Sequence, residues 1–193
     1  MEAREVLELF GRYDAYLEGH FRLTSGLHSP HYFQCARVLQ HPEAAERLGQ
    51  ALGAAVEKAL GGARPDAVLS PAMGGLIIGH ELGRYFRCRA IFVERQDGVM
   101  TLRRFNLAPG EKVVVVEDVV TTGGSLLEAV KVARELGAGV LGIACLVDRT
   151  GGAKLEAPLT SLVQANVVTY QPEDCPLCRQ GLPLVKPGSR NVK

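Results

Sequence analysis

The sequence has no tryptophan, three methionines, and only 6% aromatic residues. It also lacks an excess of either charge. Twenty-two Lys and Arg stand against 21 Asp and Glu, a formal net charge of +1. That balance supplies no long-range attraction to nucleic acid or to an anionic membrane. No apolar run approaches the roughly 18 residues of a spanning helix. Residues 1–8 carry three glutamates and no apolar stretch, unlike a secretory signal. There is no GxxxxGK loop of a nucleotide triphosphatase. The glycines of residues 137–142 spell GxGxxG, but they end a helix pattern and open a strand pattern, the reverse of the dinucleotide-binding order. Five cysteines, an odd number, do not suit a secreted disulfide framework. Cys35, Cys88 and Cys145 lie among apolar or small residues and read as semi-buried thiols. Cys175 and Cys178 form a single CxxC with no second pair and no nearby histidine, so an unmetallated tail is expected there. A metal shared across a dimer or a disulfide are the alternatives. His28 and His31 have no acid cluster beside them and read as loop residues near a substrate, or exposed. The expectation is one soluble, cytoplasmic domain over residues 1–193.

What remains is ordinary globular material, 47% hydrophobic, with a clear alternation of patterns. Val6, Phe10, Tyr13 and Leu17 fall at helical spacing and predict an amphipathic helix over residues 2–18. Residues 21–37 are turn-rich and aromatic, predicting short strands around a Ser-Gly turn. Pro42 suits the first turn of a helix reaching about Leu60, which Gly61 and Gly62 would stop. Then come strands at residues 66–70, 90–94, 112–117 and 140–147, with helices ending near Arg87 and Leu136 between them. Residues 163–170 are a last candidate strand. Residues 99–104 read as a hairpin arm or mobile loop, and the segment from about 171 as irregular. Strands alternating with helices predict an α/β chain: a central, mostly parallel sheet flanked by helices.

The chemistry concentrates after the four consecutive valines at residues 113–116. A buried strand there delivers Glu117 and Asp118 to its carboxyl end. Val119 and Val120 follow, then Thr121, Thr122, Gly123, Gly124 and Ser125 open a helix. Free amides and the positive end of the helix dipole suit a phosphate. Glycines let the backbone approach an anion, and the hydroxyls add donors. Two carboxylates would repel that phosphate, but they would grip a sugar diol or act through a divalent cation. Together these features predict a site for a phosphorylated ribose.

This stretch resembles the phosphoribosyl-pyrophosphate motif of the type I phosphoribosyltransferases. Three further segments are similar to the members of that family that act on orotate. The first is Phe21-Arg22-Leu23-Thr24-Ser25-Gly26 with Ser29, Pro30, Tyr32 and Phe33, which resembles their small N-terminal hood, here about residues 18–40. The second is Ser70-Pro71-Ala72-Met73-Gly74-Gly75, similar to their pyrophosphate loop. The third is Asp148-Arg149, where the arginine corresponds to one that contacts the base. The resemblance implies the type I fold. It also implies transfer of the 5-phosphoribosyl group from phosphoribosyl pyrophosphate to orotate, with Mg²⁺, in pyrimidine (UMP) synthesis. Glu117 and Asp118 would hold the ribose, the loop to Ser125 the 5′-phosphate, and Gly74 and Gly75 the pyrophosphate. Thr121, Arg149 and Phe33, or Tyr32, would meet the base.

Many members carry a lysine at the position of Thr24 and a mobile loop with Lys-x-x-Lys-x-His. Here there is no lysine between Lys58 and Lys112, so the loop's cationic role falls to Arg95, Arg103 and Arg104. Residues 97–104 are the candidate lid. The resemblance implies a homodimer acting on small molecules, without nucleic acid or membrane as partners. A purine or other base, or a regulator that senses phosphoribosyl pyrophosphate and binds nucleic acid through Arg84, Arg87 and Arg89, are the alternatives.

Overall fold

Val113, Val114, Val115 and Val116 are each fully buried, and the strand carrying them fixes the centre of the molecule. The computed structural model describes residues 1–23, 26–153, 155–165 and 168–187. In chain order these form α1 (Ala3–Arg12), β1 (Tyr16–Arg22), β2 (His28–Phe33), α2 (Ala36–Leu39), α3 (Pro42–Ala59) and β3 (Ala67–Pro71). There follow α4 (Gly75–Phe86), β4 (Arg89–Gln96), β5 (Val99–Thr101), β6 (Lys112–Val120) and α5 (Gly124–Glu135). The chain then adds β7 (Gly139–Asp148), β8 (Leu159–Gln164), a 3-10 turn (Pro172–Asp174) and α6 (Pro176–Arg179). No helix among the described residues is long and apolar enough to cross a membrane.

The main sheet runs β5-β4-β3-β6-β7-β8, and β1 and β2 form a separate antiparallel pair. Every pairing in the main sheet is parallel except β4 with β5. Because side chains alternate along a strand, Val114 and Val116 join one core with Leu48 and Leu52 of α3 and Ile78 and Leu82 of α4. Val113 and Val115 join the opposite core with Leu126, Ala129 and Val130 of α5. A strand covered by helices on both faces has no polar side to offer, hence the unbroken valine run. Burial of each such side chain stabilises the fold by about 1.5–3 kcal/mol. From β3 the chain moves outward to β4 and β5, then returns through β6 and moves the other way. The carboxyl ends of β3 and β6 therefore flank the point where strand order reverses, the crevice in which open α/β sheets bind ligands.

The structure confirms the predicted α/β architecture and corrects several local expectations. The first helix stops at Arg12 rather than near residue 18, because Asp14 takes a left-handed φ of 50° and the Ala15 N–H turns back to Phe10 O at 2.8 Å. Leu17, placed on that helix by its spacing, instead lies in β1 opposite Tyr32. The last strand is shifted to Leu159–Gln164 by its parallel register with β7, from Ile143 opposite Leu159 to Asp148 opposite Gln164. Within residues 99–104 only β5 is a strand, joined to β4 through Asp97 (φ 51°) and Gly98 (φ 85°). Its Met100 is 7% exposed and anchored in the α5-side core, which ties the first part of the candidate lid to the sheet. Finally, His28 is buried on β2, not a loop residue, and Cys175 is buried in a segment with short helical turns, not an irregular tail. Histidines do lie near the CxxC: His20 and His28 stand beside both thiols. They are some 150 residues away in sequence, beyond any local pattern. Of the predicted hood turn, Thr24 and Ser25 lie outside the described residues.

Candidate active site

Strand β6 ends at Val120, residues 121–123 turn, and α5 starts at Gly124. Gly123 has a φ of 77°, a conformation that costs any side chain, and a Cβ there would also meet Leu155 Cδ2 at 3.1 Å. The turn thus delivers the first amides of α5, which have no intrahelical acceptor, to the carboxyl edge of the sheet. Glu117, Val119, Val120, Thr121, Thr122, Gly123, Gly124 and Ser125 line one pocket of about 290 Å³. Arg95 and Glu128 complete its wall. The Arg95 guanidinium donates to Gly98 O at 2.8 Å and to Glu128 Oε1 at 2.9 Å. A cation from β4 is thereby fixed at the rim of the pocket. Glu128 was not singled out from the sequence, although it lies one helical turn beyond Gly124 and so shares its face.

Adjacent residues on a strand project to opposite faces, and the acid pair divides accordingly. Glu117 faces the loop pocket. Asp118 lies against the turn after β3: a Cβ on Gly74 would fall 2.7 Å from Asp118 Oδ1, so this turn can pack on the acid only without a side chain. Gly75 begins α4 beside it. The Val119 N–H donates to Asp118 Oδ1 at 2.8 Å. Burial raises the Asp118 carboxyl above the usual range, partly opposed by that hydrogen bond. Burial first, and the charge of Asp118 second, push Glu117 up to about 8. Neither acid has a cationic side chain in ion-pair contact among the described residues. The site holds concentrated acceptor capacity that its own chain leaves uncompensated.

Arg149 follows β7, and its backbone N–H donates to Val120 O at 2.7 Å, which pins it to the last residue before the loop. Its Nε is a buried side-chain nitrogen with no hydrogen-bond partner among the described residues. Burial lowers its affinity for a proton, and the charge of a nearby Tyr32 phenolate would raise it. Tyr32 in turn is raised by burial, and it feels the opposed charges of Arg149 and Asp118. Phe33 is a correction. At 6% exposure it packs with Phe10 and Tyr16 in the main core, because alternation along β2 turns it away from the site and Tyr32 toward it. Arg103 does not line the loop pocket; it is exposed after β5. Arg104 pairs with Glu94 at 2.8 Å.

Comparisons with known proteins agree with this geometry. A family model described as the phosphoribosyl transferase domain matches residues 34–173. The orotate phosphoribosyltransferase of Heliobacterium modesticaldum is 51% identical over 98% of this chain and 100% of that protein. That of Thermotoga maritima is 46% identical over 98% of this chain and 99% of its own. Among solved structures, the Aeropyrum pernix orotate phosphoribosyltransferase superposes with a TM-score of 0.67 at 27% identity, over 82% of this chain and 93% of that one. An adenine phosphoribosyltransferase from Saccharomyces cerevisiae matches with a TM-score of 0.66 at 18% identity, over 81% of this chain and 99% of its own. That last likeness shows the fold alone, which the purine and orotate enzymes share, whereas the full-length sequence identity separates them. With a family model over residues 34–173 and orotate phosphoribosyltransferases about half identical over the whole chain, this chain belongs to the phosphoribosyltransferase family, in its orotate phosphoribosyltransferase group.

Proposed function

We propose that this pocket transfers the 5-phosphoribosyl group of phosphoribosyl pyrophosphate to N1 of orotate, giving orotidine 5′-monophosphate and pyrophosphate in pyrimidine synthesis. The observation that carries the choice of base is the buried Nε of Arg149, which has no hydrogen-bond partner among the described residues. A guanidinium edge left open in a partly buried site suits a planar carboxylate, which orotate has and the purine bases lack. In this reading the loop at residues 121–125 takes the 5′-phosphate, and Thr121 lies between that phosphate and the base. Glu117 and Asp118 accept hydrogen bonds from the ribose diol. The first amides of α4, at Gly74 and Gly75, meet the pyrophosphate. Tyr32 takes the place beside the base that Phe33 was expected to fill.

The C1′–oxygen bond to pyrophosphate breaks as N1 of orotate, its proton given up to solvent, bonds to C1′, and both electrons of the broken bond leave with pyrophosphate. No covalent enzyme nucleophile is needed. The acid pair favours the positive charge that develops on the sugar ring, and fixed positions for both substrates supply much of the rest. Arg95, held at the rim by Glu128, favours the anionic donor. Arg103, exposed beyond β5, could reach the leaving group only if its loop folds over. Mg²⁺ fits the crevice beside Glu117 and Asp118 chiefly on substrate oxygens and water, because this ion seldom takes an all-protein cage, and no cationic side chain among the described residues pairs with either acid to oppose it. When bound there beside substrate oxygens, the ion would neutralise charge on the departing pyrophosphate. The same reading takes the chain as one catalytic domain with a hood at about 18–40 and a tail from about 171. It also takes it as a cytoplasmic homodimer, with Met73 and Ile77, 81% and 40% exposed, as apolar surface for a second copy.

The test is a panel of free bases assayed with phosphoribosyl pyrophosphate and Mg²⁺ for pyrophosphate release. Orotate alone is expected to support turnover; release with adenine, guanine or uracil at a comparable rate would overturn the reading.

The Glu117 carboxyl at about 8 adds a pH dependence. At neutral pH the resting group is mostly protonated, whereas diol hydroxyls and a divalent cation favour its ionised form. Donor binding must then release a proton. The KM for phosphoribosyl pyrophosphate is expected to fall by up to about tenfold per unit as pH rises from 6 towards 8, and to level off above it. Calorimetry in buffers of different ionisation enthalpy should register the released proton near pH 7. A KM that is flat over this range, or rises, counts against Glu117 as the ribose ligand.

A further inference from the structure

We propose that His20, His28, Cys175 and Cys178 form a tetrahedral structural zinc site that staples the segment at residues 170–187 to the β1–β2 hairpin. Their four donor atoms lie within 4.8 Å of one another. His20 Nε2 stands 3.0 Å from His28 Nδ1, 3.6 Å from Cys175 Sγ and 3.7 Å from Cys178 Sγ. His28 Nδ1 is 3.3 Å from Cys178 Sγ. Zinc–nitrogen bonds of about 2.0–2.1 Å and zinc–sulfur bonds of about 2.3 Å give a tetrahedron with edges of about 3.3 Å between nitrogens and about 3.6 Å between nitrogen and sulfur. The separations match those edges to within a few tenths of an ångström.

The surroundings are built for the same purpose. His20 Nδ1 lies 2.9 Å from Leu182 O, and a carbonyl only accepts, so Nδ1 carries the proton and the Nε2 lone pair points at the cluster. An outer hydrogen bond of this kind orients metal-bound imidazoles. His20 and Phe21 are buried in succession, against the alternation of a strand, and the pairing of β1 with β2 slips between Glu18 and Phe21. Such a bulge re-aims a side chain, here His20 toward His28. On the other side, α6 begins after Cys175, and the Arg179 N–H donates to Cys175 O at 3.3 Å, folding the two thiols of the CxxC together.

Two thiolates and two imidazoles are soft and borderline donors, which select zinc over magnesium, and four protein ligands leave no open position for catalysis. The role is therefore structural, and binding adds directly to folding stability. The clamp joins residues 158 apart in sequence. Around it the segment is zipped to both hairpin strands: the Arg22 N–H donates to Val185 O at 2.9 Å, the Val185 N–H to His20 O at 2.8 Å, and the Tyr170 and His28 amides to each other's carbonyls at 2.9 Å. Beyond it the Tyr32 O–H donates to Pro187 O at 3.4 Å, so the clamp also steadies this residue of the hairpin.

The experiment is metal analysis of the full chain, purified under reducing conditions without chelator. About one zinc per chain is expected. After chelation the chain should take up Co²⁺ and show the intense visible bands and thiolate charge-transfer band of tetrahedral sulfur-ligated cobalt. Cys178→Ser, at an exposed thiol, should abolish both signals, and Cys88→Ser, outside the cluster, should keep them. Chelator should lower the melting temperature of the wild type but not of Cys178→Ser. The cobalt spectrum reads the wild-type chain itself and does not depend on how the variant folds. A reduced chain that takes up neither Zn²⁺ nor Co²⁺, or a Cys178→Ser chain that binds as the wild type does, overturns the proposal.

Discussion

Asp118→Asn is expected to lower kcat by about 10²- to 10³-fold, the scale of removing one preorganised electrostatic partner of a transition state. The substitution keeps the shape of a side chain that packs against the turn at Gly74 with a clearance too small for a Cβ. It also keeps an oxygen able to accept the Val119 N–H at 2.8 Å. What it removes is the negative charge, and it does so in a buried place where water screens little. The fold should survive, because a buried carboxyl that burial already disfavours is replaced by a neutral group. The change has a second signature. Asp118 contributes to the raised Glu117 carboxyl, so removing its charge should move the pH at which the KM for phosphoribosyl pyrophosphate levels off to a lower value. Steady-state kinetics from pH 6 to 9, beside circular dichroism and thermal melts, check all of this. Unchanged kcat in a folded variant would refute the assigned role.

The parts of the fold legible in the sequence are those whose cause is local. The valine run, the glycine-bearing turn after it and the helix it opens announce themselves because burial on both faces and a left-handed turn each demand particular residues at consecutive positions. The acid pair and the loop at residues 121–125 were legible at the sheet's carboxyl edge for the same reason. The positions that went astray depend on partners distant in sequence. Leu17 fits a helix by spacing, but Asp14 turns the chain and β2 offers Tyr32 as its neighbour. Phe33 and Tyr32 look equivalent in sequence, and only the register of β2 against β1 decides which enters the core. Asp97-Gly98 was a readable hairpin signal that the more irregular residues after it obscured. The pairing of CxxC with His20 and His28 has no local trace at all. It appears only when a bulge in β1 and the return of the chain at residues 170–187 bring both ends together.

Arg149→Ala should raise the KM for orotate by about 10²-fold while changing that for phosphoribosyl pyrophosphate by less than about threefold. Truncating one partner of a desolvated charge pair costs about 2–5 kcal/mol, much of it from leaving the other charge unpaired, here the orotate carboxylate. Arg149→Lys should recover only part of the loss, since an ammonium restores the charge without the planar fork. Stability should move the other way from a normal deletion. Arg149 Nε is buried without a hydrogen-bond partner among the described residues, and burial disfavours the charge on its guanidinium. Its removal therefore relieves a desolvation cost, and the melting temperature of Arg149→Ala should equal or exceed that of the wild type. A group that weakens the empty fold yet is needed to hold a substrate is what a binding residue looks like, whereas a surface ion pair at a strand end would move neither quantity. Equal KM increases for both substrates, or a clear fall in melting temperature with unaltered orotate KM, would assign Arg149 to the scaffold instead.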